Sequence, residues 1–122
     1  MARLKTRSDF VRIARGARRV APAVTLEVCP SPQIAQNPQE LRVGFTATRK
    51  IGTAVARNRA KRRLRAAAAA VLPLYGRPGN DYVLVARQDT LTRPFAALLD
   101  DLTTALHAAH TKLGQLTAKV PS

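Results

Sequence analysis

The stretch from Arg49 to Arg65 holds eight Lys/Arg and no acid, and no Asp or Glu occurs between Glu40 and Asp81. This run constrains the fold more than any other, because its charge has no local counter-ion. Gly52-Thr53 supplies a helix start: glycine relaxes the backbone and Thr53 is an acceptable N-cap. Good helix formers then continue unbroken as far as Pro73, Ala66 to Ala70 among them. At about 100° per residue, Ala56, Ala60, Leu64, Ala67 and Val71 fall in one narrow stripe. Arg57, Asn58, Lys61, Arg62 and Arg65 cover the opposite side, and Arg59 and Arg63 flank it. The helix can bury one thin seam of small residues, and everything else it shows is positive. Pairs four residues apart, such as Arg57–Lys61 and Lys61–Arg65, repel and destabilise the helix. A charge run is usually a solvated face. Here no acid relieves the repulsion and a polyanion would, so the run reads as a helix that faces nucleic acid.

The rest of the composition agrees. A net charge of +14 over 122 residues, with a pI near 11.7, points to nucleic acid or another anionic surface. Sixteen of the 21 basic residues lie at or before Arg65, so the C-terminal part reads as structural. An apolar content of 46% is enough for one globular domain over 1–122, with a modest core. Cys29 is alone, which rules out an intramolecular disulfide and a Cys-based metal site and fits a reducing cytoplasm. Charges at Asp9, Arg12 and Arg15 interrupt any signal-peptide core. No apolar stretch approaches the ~20 residues of a membrane span, so no membrane partner is expected.

Along the chain, residues 1–7 read as a basic arm. Ser8 caps a short helix from Asp9 to about Arg15, ended by Gly16, with Phe10, Ile13, Ala14 and Ala17 on its apolar face. Val24, Leu26 and Val28 alternate with Thr25 and Glu27 as in a half-buried strand. The segment 30–40 reads as a loop, and 41–47 as a strand with Leu41, Val43, Phe45 and Ala47 on one face. These two strands are expected to pair antiparallel, with a further short piece hidden in the first strand or the loop. After a loop over 73–81, the apolar run 82–86 fits a central or doubly covered strand. Thr92 caps the last helix, with Pro94 in its first turn. Phe95, Leu98, Leu99, Leu102, Leu106, Ala109 and Leu113 form its packing face, Gly114 closes it, and the tail over about 115–122 is loose. The order gives an α+β class: one small sheet with helices against it.

Catalytic chemistry is missing from this pattern. A protein nuclease needs clustered carboxylates to hold divalent metal, and the seven acids are scattered. Asp100 and Asp101 are neighbours that point about 100° apart on a helix, and read as a solvated face. His107 and His110 share a face but lack a third ligand. Gly76-Arg-Pro-Gly79 lacks the pattern of a phosphate loop. No catalytic residue, metal ligand or small-molecule substrate is expected of the chain by itself.

Lys50-x-Gly52-x-Ala54-Val55-x-Arg57-Asn58-Arg59-x-Lys61-Arg62-x-x-Arg65 resembles the signature of the bacterial ribonuclease P protein component. Arg42-Val-Gly-Phe45, the N-terminal Leu4-Lys5 with Asp9-Phe10 and Gly16, and Tyr82-Val-Leu-Val-Ala-Arg87 are similar to flanking segments of that family; the resemblance covers about 3–113. It implies the accessory subunit of a ribonucleoprotein endoribonuclease that removes the 5′ leader of precursor tRNA. The RNA subunit would do the chemistry with Mg²⁺, and the protein would hold no cofactor and be inactive alone. The implied fold is a small α/β sandwich, a sheet of about four strands and three helices with a left-handed β-α-β crossover through the basic helix. Carried over by residue, Arg57, Asn58, Arg59, Lys61, Arg62 and Arg65 go to the catalytic RNA. Arg49 and Lys50 go to the junction of helix and cleft. Phe10 and Arg87 line a leader cleft between the first helix and the sheet. Arg and Lys suit phosphate contacts, and aromatic rings stack on single-stranded bases. The chain departs from the family where Ala14 stands in place of a second aromatic. It departs again at Val24, Leu26 and Val28, where aromatics are common. Competing readings are a ribosomal or other structural RNA-binding protein, then a helix reading duplex DNA with Asn58 as a candidate base reader, and last a protein-only nuclease.

Overall fold

The structure, a computed structural model, describes residues 1–32 and 39–118. Part of the expected loop (33–38) and the end of the tail (119–122) lie outside the described residues. Among the described residues, five strands form one sheet: β1 (Ala2–Arg3), β2 (Ala17–Val20), β3 (Val24–Pro30), β4 (Arg42–Thr46) and β5 (Asn80–Ala86), in the order β1-β4-β5-β3-β2. Three helices pack on it: α1 (Arg7–Ala14), α2 (Ala54–Tyr75) and α3 (Phe95–Ala118).

The apolar run of β5 is the middle strand. It pairs parallel with β4, which is joined to it through α2 as a β-α-β crossover, and antiparallel with β3. β3 and β4 therefore flank β5 instead of pairing with each other, which corrects the expected antiparallel pair. The sheet also has one strand more than expected. The additional short strand is not within the first strand or the described part of the loop, where a further piece was expected: β2 lies between α1 and Pro22 and pairs antiparallel with β3. The supposed basic arm contributes β1, whose edge pairing with β4 is extended by Leu4 N–H donating to the Val43 carbonyl at 2.9 Å.

Alternation divides the sheet into two faces. Val24, Leu26 and Val28 of β3, Val43 of β4 and Tyr82, Leu84 and Ala86 of β5 meet α2 and α3 in the main core. From α2 the buried residues are Ala60, Leu64, Ala67, Ala68, Val71 and Leu72: four of the five expected seam residues, with Ala56 only half-buried and Ala68 and Leu72 added. From α3 they include Leu98, Leu102, Ala105, Leu106 and Ala109. On the other face, α1 lays Ile13 and Phe10 on Leu4, Val83 and Val85 in a second, smaller cluster.

Several element ends differ from the expectation for identifiable reasons. Thr6, not Ser8, caps α1: its hydroxyl accepts from the Asp9 N–H and donates to the Asp9 carboxylate at 2.6 Å. The cap is thus a single side-chain acceptor, placed two residues upstream of the expected one, with the Asp9 carboxylate orienting its hydroxyl. Helix α2 runs through Pro73 to Tyr75. Proline costs a helix the bond to the carbonyl four residues back, and here that carbonyl belongs to exposed Ala69, near the helix end. The next turn holds because Leu72 is fully buried and accepts from the Gly76 N–H at 2.8 Å. Helix α3 starts at Phe95 and runs through Gly114 to Ala118, so glycine alone does not stop it. Asp101 is not solvated: it is buried and takes two hydrogen bonds from Arg93, at 2.7 and 3.0 Å.

His110 is satisfied in the core. The Tyr82 hydroxyl accepts from the Arg77 N–H at 2.8 Å, which leaves its own hydrogen for His110 Nε2 at 2.7 Å. Burial, then repulsion from Arg77 and His107, lowers the His110 pKa from 6.5 to about 4. The unfolded chain thus binds more protons than the folded one between these values. The stability that neutral His110 contributes is fully present above pH 6.5 and is lost as pH falls towards 4. His110→Gln keeps an acceptor for Tyr82 but does not titrate. Thermal melts from pH 7 to 4.5 are expected to show a shallower fall in Tm for the variant than for the wild type, whereas carboxylates such as Asp9 act on both.

Candidate nucleic-acid interface

Thr53 caps α2 as its sequence indicates, accepting from the Ala56 N–H at 3.1 Å. The chain enters through a 3-10 turn, Arg49–Ile51, closed by Gly52 at φ 135°, a conformation that side chains avoid. With its seam on the sheet, α2 turns the opposite face to solvent. Asn58, Arg59, Arg62 and Arg65 are exposed, while Arg57 and Lys61 are half-buried. Asn58, Arg62 and Arg65 line a shallow hollow with Val55, which is 68% exposed. Arg57 donates to the Gly52 carbonyl at 3.1 Å. Among the described residues, every ion pair uses Arg12, Arg42 or Arg93, and none uses a cation of α2. The six residues assigned by resemblance are therefore together on one unneutralised face.

Arg63 is different. Its guanidinium donates to the carbonyls of Thr90 and Leu91, each at 2.9 Å, and of Arg93 at 2.5 Å. This clamps α2 to the strap between β5 and α3. In the sequence Arg63 is simply one more cation in the run; only the strap's position shows its role.

The strap also carries Arg87, which is half-buried and donates to the Ala21 carbonyl at 3.2 Å. Thr90 hydroxyl bonds the Ala23 carbonyl at 2.5 Å and accepts from the Arg87 N–H at 2.8 Å. Gln88 reaches the Lys50 carbonyl. Lys50 and Arg87 line one hollow of about 300 Å³, with Thr48 and Pro22 between them. It lies at the carboxyl ends of β4 and β5. Arg49 and Lys50 are both exposed there.

Phe10 is not part of that hollow. It stands half-buried on Gly44, where an added Cβ would come within 2.7 Å of two ring atoms. Glycine lets the ring lie on the sheet. Gly44, Val83, Glu27 and Arg18 form one cross-strand row on this face, and Thr46, Val85, Thr25 and Val20 form the next. The second row runs on towards Arg87, so Phe10 and Arg87 stand at two ends of a shelf beside α1. Ala14 is exposed on α1. Val24, Leu26 and Val28 do not face this shelf. They are core residues on the other side of the sheet, and the β3 positions on the shelf are Thr25 and Glu27.

What fixes α1 there is a buried charge cluster. Asp81 is completely buried. It accepts from Arg42 at 2.8 and 2.6 Å and from Arg12 at 2.5 Å. Arg12 also reaches Asp9 at 3.3 Å and the Pro30 carbonyl at 3.2 Å. The hydrogen bond from Thr6, ahead of Arg12 and Arg42, holds the Asp9 carboxyl below its usual range despite some desolvation.

A small α/β sheet carrying one long helix with an uncompensated cationic face defines an RNA-binding protein of the kind that lies along a polyanion. Comparison with known proteins gives the particular family. The Ribonuclease P family model matches residues 1–110, and the chain belongs to that family. The ribonuclease P protein component of Ruegeria pomeroyi is 52% identical over 108 residues, covering 88% of this chain and 85% of the relative. That of Paramagnetospirillum magneticum is 47% identical over 105 residues, covering 85% and 79%. Among solved structures, the RNase P protein of Staphylococcus aureus superposes with a TM-score of 0.72 at 24% identity, covering 92% of this chain and 98% of its own. That of Thermotoga maritima gives 0.71 at 22%, covering 88% and 97%. At those identities the likeness is one of fold.

Arg63 and its neighbour Arg62 separate packing from exposed charge. Arg63→Ala leaves three strap carbonyls without their donor, and Tm is expected to fall by several degrees, on the order of 1–3 kcal/mol of stability. Arg62→Ala removes an exposed cation from a repulsive cluster and is expected to leave Tm unchanged or slightly raised. Thermal melts of the two variants check both.

Proposed function

We propose that the chain is the accessory protein subunit of ribonuclease P, a single RNA-binding domain that lets a catalytic RNA mature precursor tRNA at its 5′ end with Mg²⁺ held through the RNA. The observation that carries this reading is the α2 face: Arg57, Asn58, Arg59, Lys61, Arg62 and Arg65, offered without a carboxylate among the described residues. In the proposal this face docks on the RNA subunit, mostly through phosphates. Its charge releases counterions on binding, so assembly weakens steeply with salt.

The second surface would take the single-stranded leader. Phe10, half-buried with one ring edge against Gly44, would supply the aromatic contact, and Lys50, Arg49 and Arg87 would supply positive charge at the far end. With Ala14 exposed instead of an aromatic, stacking would have one ring where family members often have two. Van der Waals contact and charge then carry more of the leader affinity.

The protein would contribute no reacting group. The carboxylates that the fold gathers are engaged by guanidinium: Asp9 and Asp81 by Arg12 and Arg42, and Asp101 by Arg93. No group of three or more His, Cys, Asp and Glu able to hold a metal ion occurs among the described residues. A cytoplasmic site of action follows from the partner, since tRNA is matured where it is transcribed.

Reconstitution tests the reading. Purified protein is expected to be inactive on precursor tRNA, and protein with ribonuclease P RNA to cleave it at the mature 5′ end in Mg²⁺. Leader-specific cleavage by RNA-free protein would sink the assignment of chemistry to RNA.

The two surfaces are separable by mutation. Phe10→Leu keeps apolar bulk against Gly44 and Leu4 but removes the ring. It is expected to weaken binding of precursor tRNA by about 1–3 kcal/mol, with little change in binding of mature tRNA or in assembly with the RNA subunit. Arg59→Ala is expected to weaken assembly first. Filter binding with the two RNAs, alongside melts of both variants, reads the difference; equal losses on precursor and mature tRNA would place Phe10 in the core only.

A further inference from the structure

The strap between β5 and α3, residues 87–94, has little packing of its own. Thr90 is buried, but Gln88, Asp89, Thr92 and Pro94 are exposed. A segment so poor in buried apolar contact opens at little cost unless other elements hold it. Here three side chains hold it, each through backbone carbonyls. Thr90 donates to the Ala23 carbonyl at 2.5 Å, just ahead of β3. Gln88 donates to the Lys50 carbonyl, in the turn after β4. Arg63 donates from α2 to the carbonyls of Thr90, Leu91 and Arg93.

Arg63 stands apart from the rest of the cationic run. Its neighbours Arg62 and Arg65 are exposed, whereas Arg63 is half-buried with its donors turned to the strap. Two nitrogens of one planar guanidinium serve three carbonyls, a fork that a lysine ammonium does not reproduce. The strap it holds borders the hollow of about 300 Å³ that Arg87 and Lys50 line. Arg87 belongs to the strap itself, its N–H bonded to the Thr90 hydroxyl at 2.8 Å. Lys50 is tied to the strap through Gln88. One guanidinium therefore links the helix that carries the cationic face to the segment that places the two cations of the hollow.

We propose that Arg63 is a positioning residue for substrate binding: it touches no RNA, and with Gln88 as a second tie it seats the strap so that Arg87 and Lys50 stand in fixed places relative to each other and to the cationic face of α2. The inference rests on the leader-cleft reading above. A strand that meets two cations already in place incurs no cost for ordering them, which is the usual source of affinity in a preorganised site. Once the strap is loose, apparent affinity falls by the fraction of molecules in which it is seated. The loss is confined to substrates that reach the strap. Docking of the RNA subunit on Arg59, Arg62 and Arg65 does not need the strap, because the seam of α2 on the sheet orients that face.

The experiment uses the reconstituted ribonucleoprotein, well below the lowest Tm among the variants, and two precursor tRNAs, one with a full leader and one with a leader of a single nucleotide. The ratio of their kcat/KM values is the leader advantage. Arg63→Gln removes the fork and is expected to cut that advantage by about threefold to tenfold, as for a strap seated in roughly a third to a tenth of molecules. The change is expected in KM with kcat kept, the mark of lost binding that is equal in ground and transition states. Arg63→Lys keeps the charge and can reach one carbonyl, and is expected to recover part of the loss. Gln88→Ala, at an exposed position, is expected to cut the advantage with Tm unchanged, so the test does not depend on how far the Arg63 variants are destabilised. Assembly of Arg63→Gln with the RNA subunit is expected to keep its affinity and its salt dependence. The inference is overturned if Arg63→Gln or Gln88→Ala keeps the wild-type leader advantage, or if Arg63→Gln loses kcat/KM equally on both precursors, as a purely structural role would give. It is also overturned if assembly weakens and the log–log salt slope flattens by about 0.7–0.9, the signature of one lost phosphate contact. Failure of the cleft reading looks different: the wild type itself would then show no leader advantage.

Discussion

The arrangement of this protein depends on one buried carboxylate. Asp81 sits at the start of the central strand with no exposure, and two guanidinium groups reach it, from α1 and from β4. Removing a charge from water costs several kcal/mol unless geometry and hydrogen bonds compensate, so a buried acid is tolerated only where its partners are well placed. Here the bidentate Arg42 joins two parallel strands that are already neighbours, and Arg12 brings in α1, which also rests on the small cluster of Ile13, Phe10, Leu4, Val83, Val85 and Cys29. The wall of the shelf is thus positioned by electrostatics more than by apolar area. Truncating Arg12 or Arg42 would leave a buried charge short of a partner, a larger cost than losing the contact itself.

That hub also explains how the charge is distributed. The chain has three times as many bases as acids. Its structural acids are spent on guanidinium groups that hold elements together: Asp81 and Asp9 at α1, Asp101 at the start of α3. Arg63 is satisfied by carbonyls instead, so even the one α2 cation that works in the fold consumes no acid. The remaining α2 cations are left facing outwards without compensation. Like charges at four-residue spacing weaken a helix by a few tenths of a kcal/mol per pair. Burial of Leu64, Val71 and Leu72 with the alanine seam offsets that easily, each large side chain being worth about 1.5–3 kcal/mol. The fold can therefore hold a repulsive surface in place until a polyanion relieves it.

How much of this was legible in the sequence depends on whether the information is local. The α2 seam, its Thr53 cap and the central position of 82–86 are written in periodicity and composition, and the structure bears them out. The pairing order of the strands is not: two alternating strands look like natural neighbours, and only the parallel crossover through α2 inserts β5 between them. Single-residue stop signals misled for a similar reason. Pro73 and Gly114 weaken a helix by amounts that tertiary packing readily outweighs, and Ser8 yields the cap position to Thr6, whose hydroxyl accepts from the Asp9 N–H. Alternation in 24–28 correctly gives two faces but cannot say which face is core. That left Val24, Leu26 and Val28 standing where the shelf residues Thr25 and Glu27 belong. For the candidate site, the cationic face was legible because like charge on one side of a helix needs no tertiary knowledge. The shelf was reached only through family resemblance, since Phe10, Gly44, Glu27 and Arg87 come from four separate elements.

The two surfaces lie on different sides of the sheet, α1 on one and α2 on the other, and this raises the question of how one protein could serve two RNAs at once. The connection lies at the carboxyl ends of β4 and β5. In open sheets with parallel strands, ligands gather at that end because the loops leaving it diverge and expose backbone and side chains together. Here β4 leaves towards α2 through the turn carrying Arg49 and Lys50, and β5 leaves towards α3 through the strap carrying Arg87. Gln88 ties the strap to Lys50, Thr90 ties it to β3, and Arg63 ties it to α2. In the proposal, a strand of RNA following the shelf past Arg87 would arrive at the N-terminal end of the cationic helix, where Arg57 and Asn58 begin the other face. On the proposed reading the protein needs no hinge between its two jobs: the distance from leader to catalytic RNA is set by a strap held at three points.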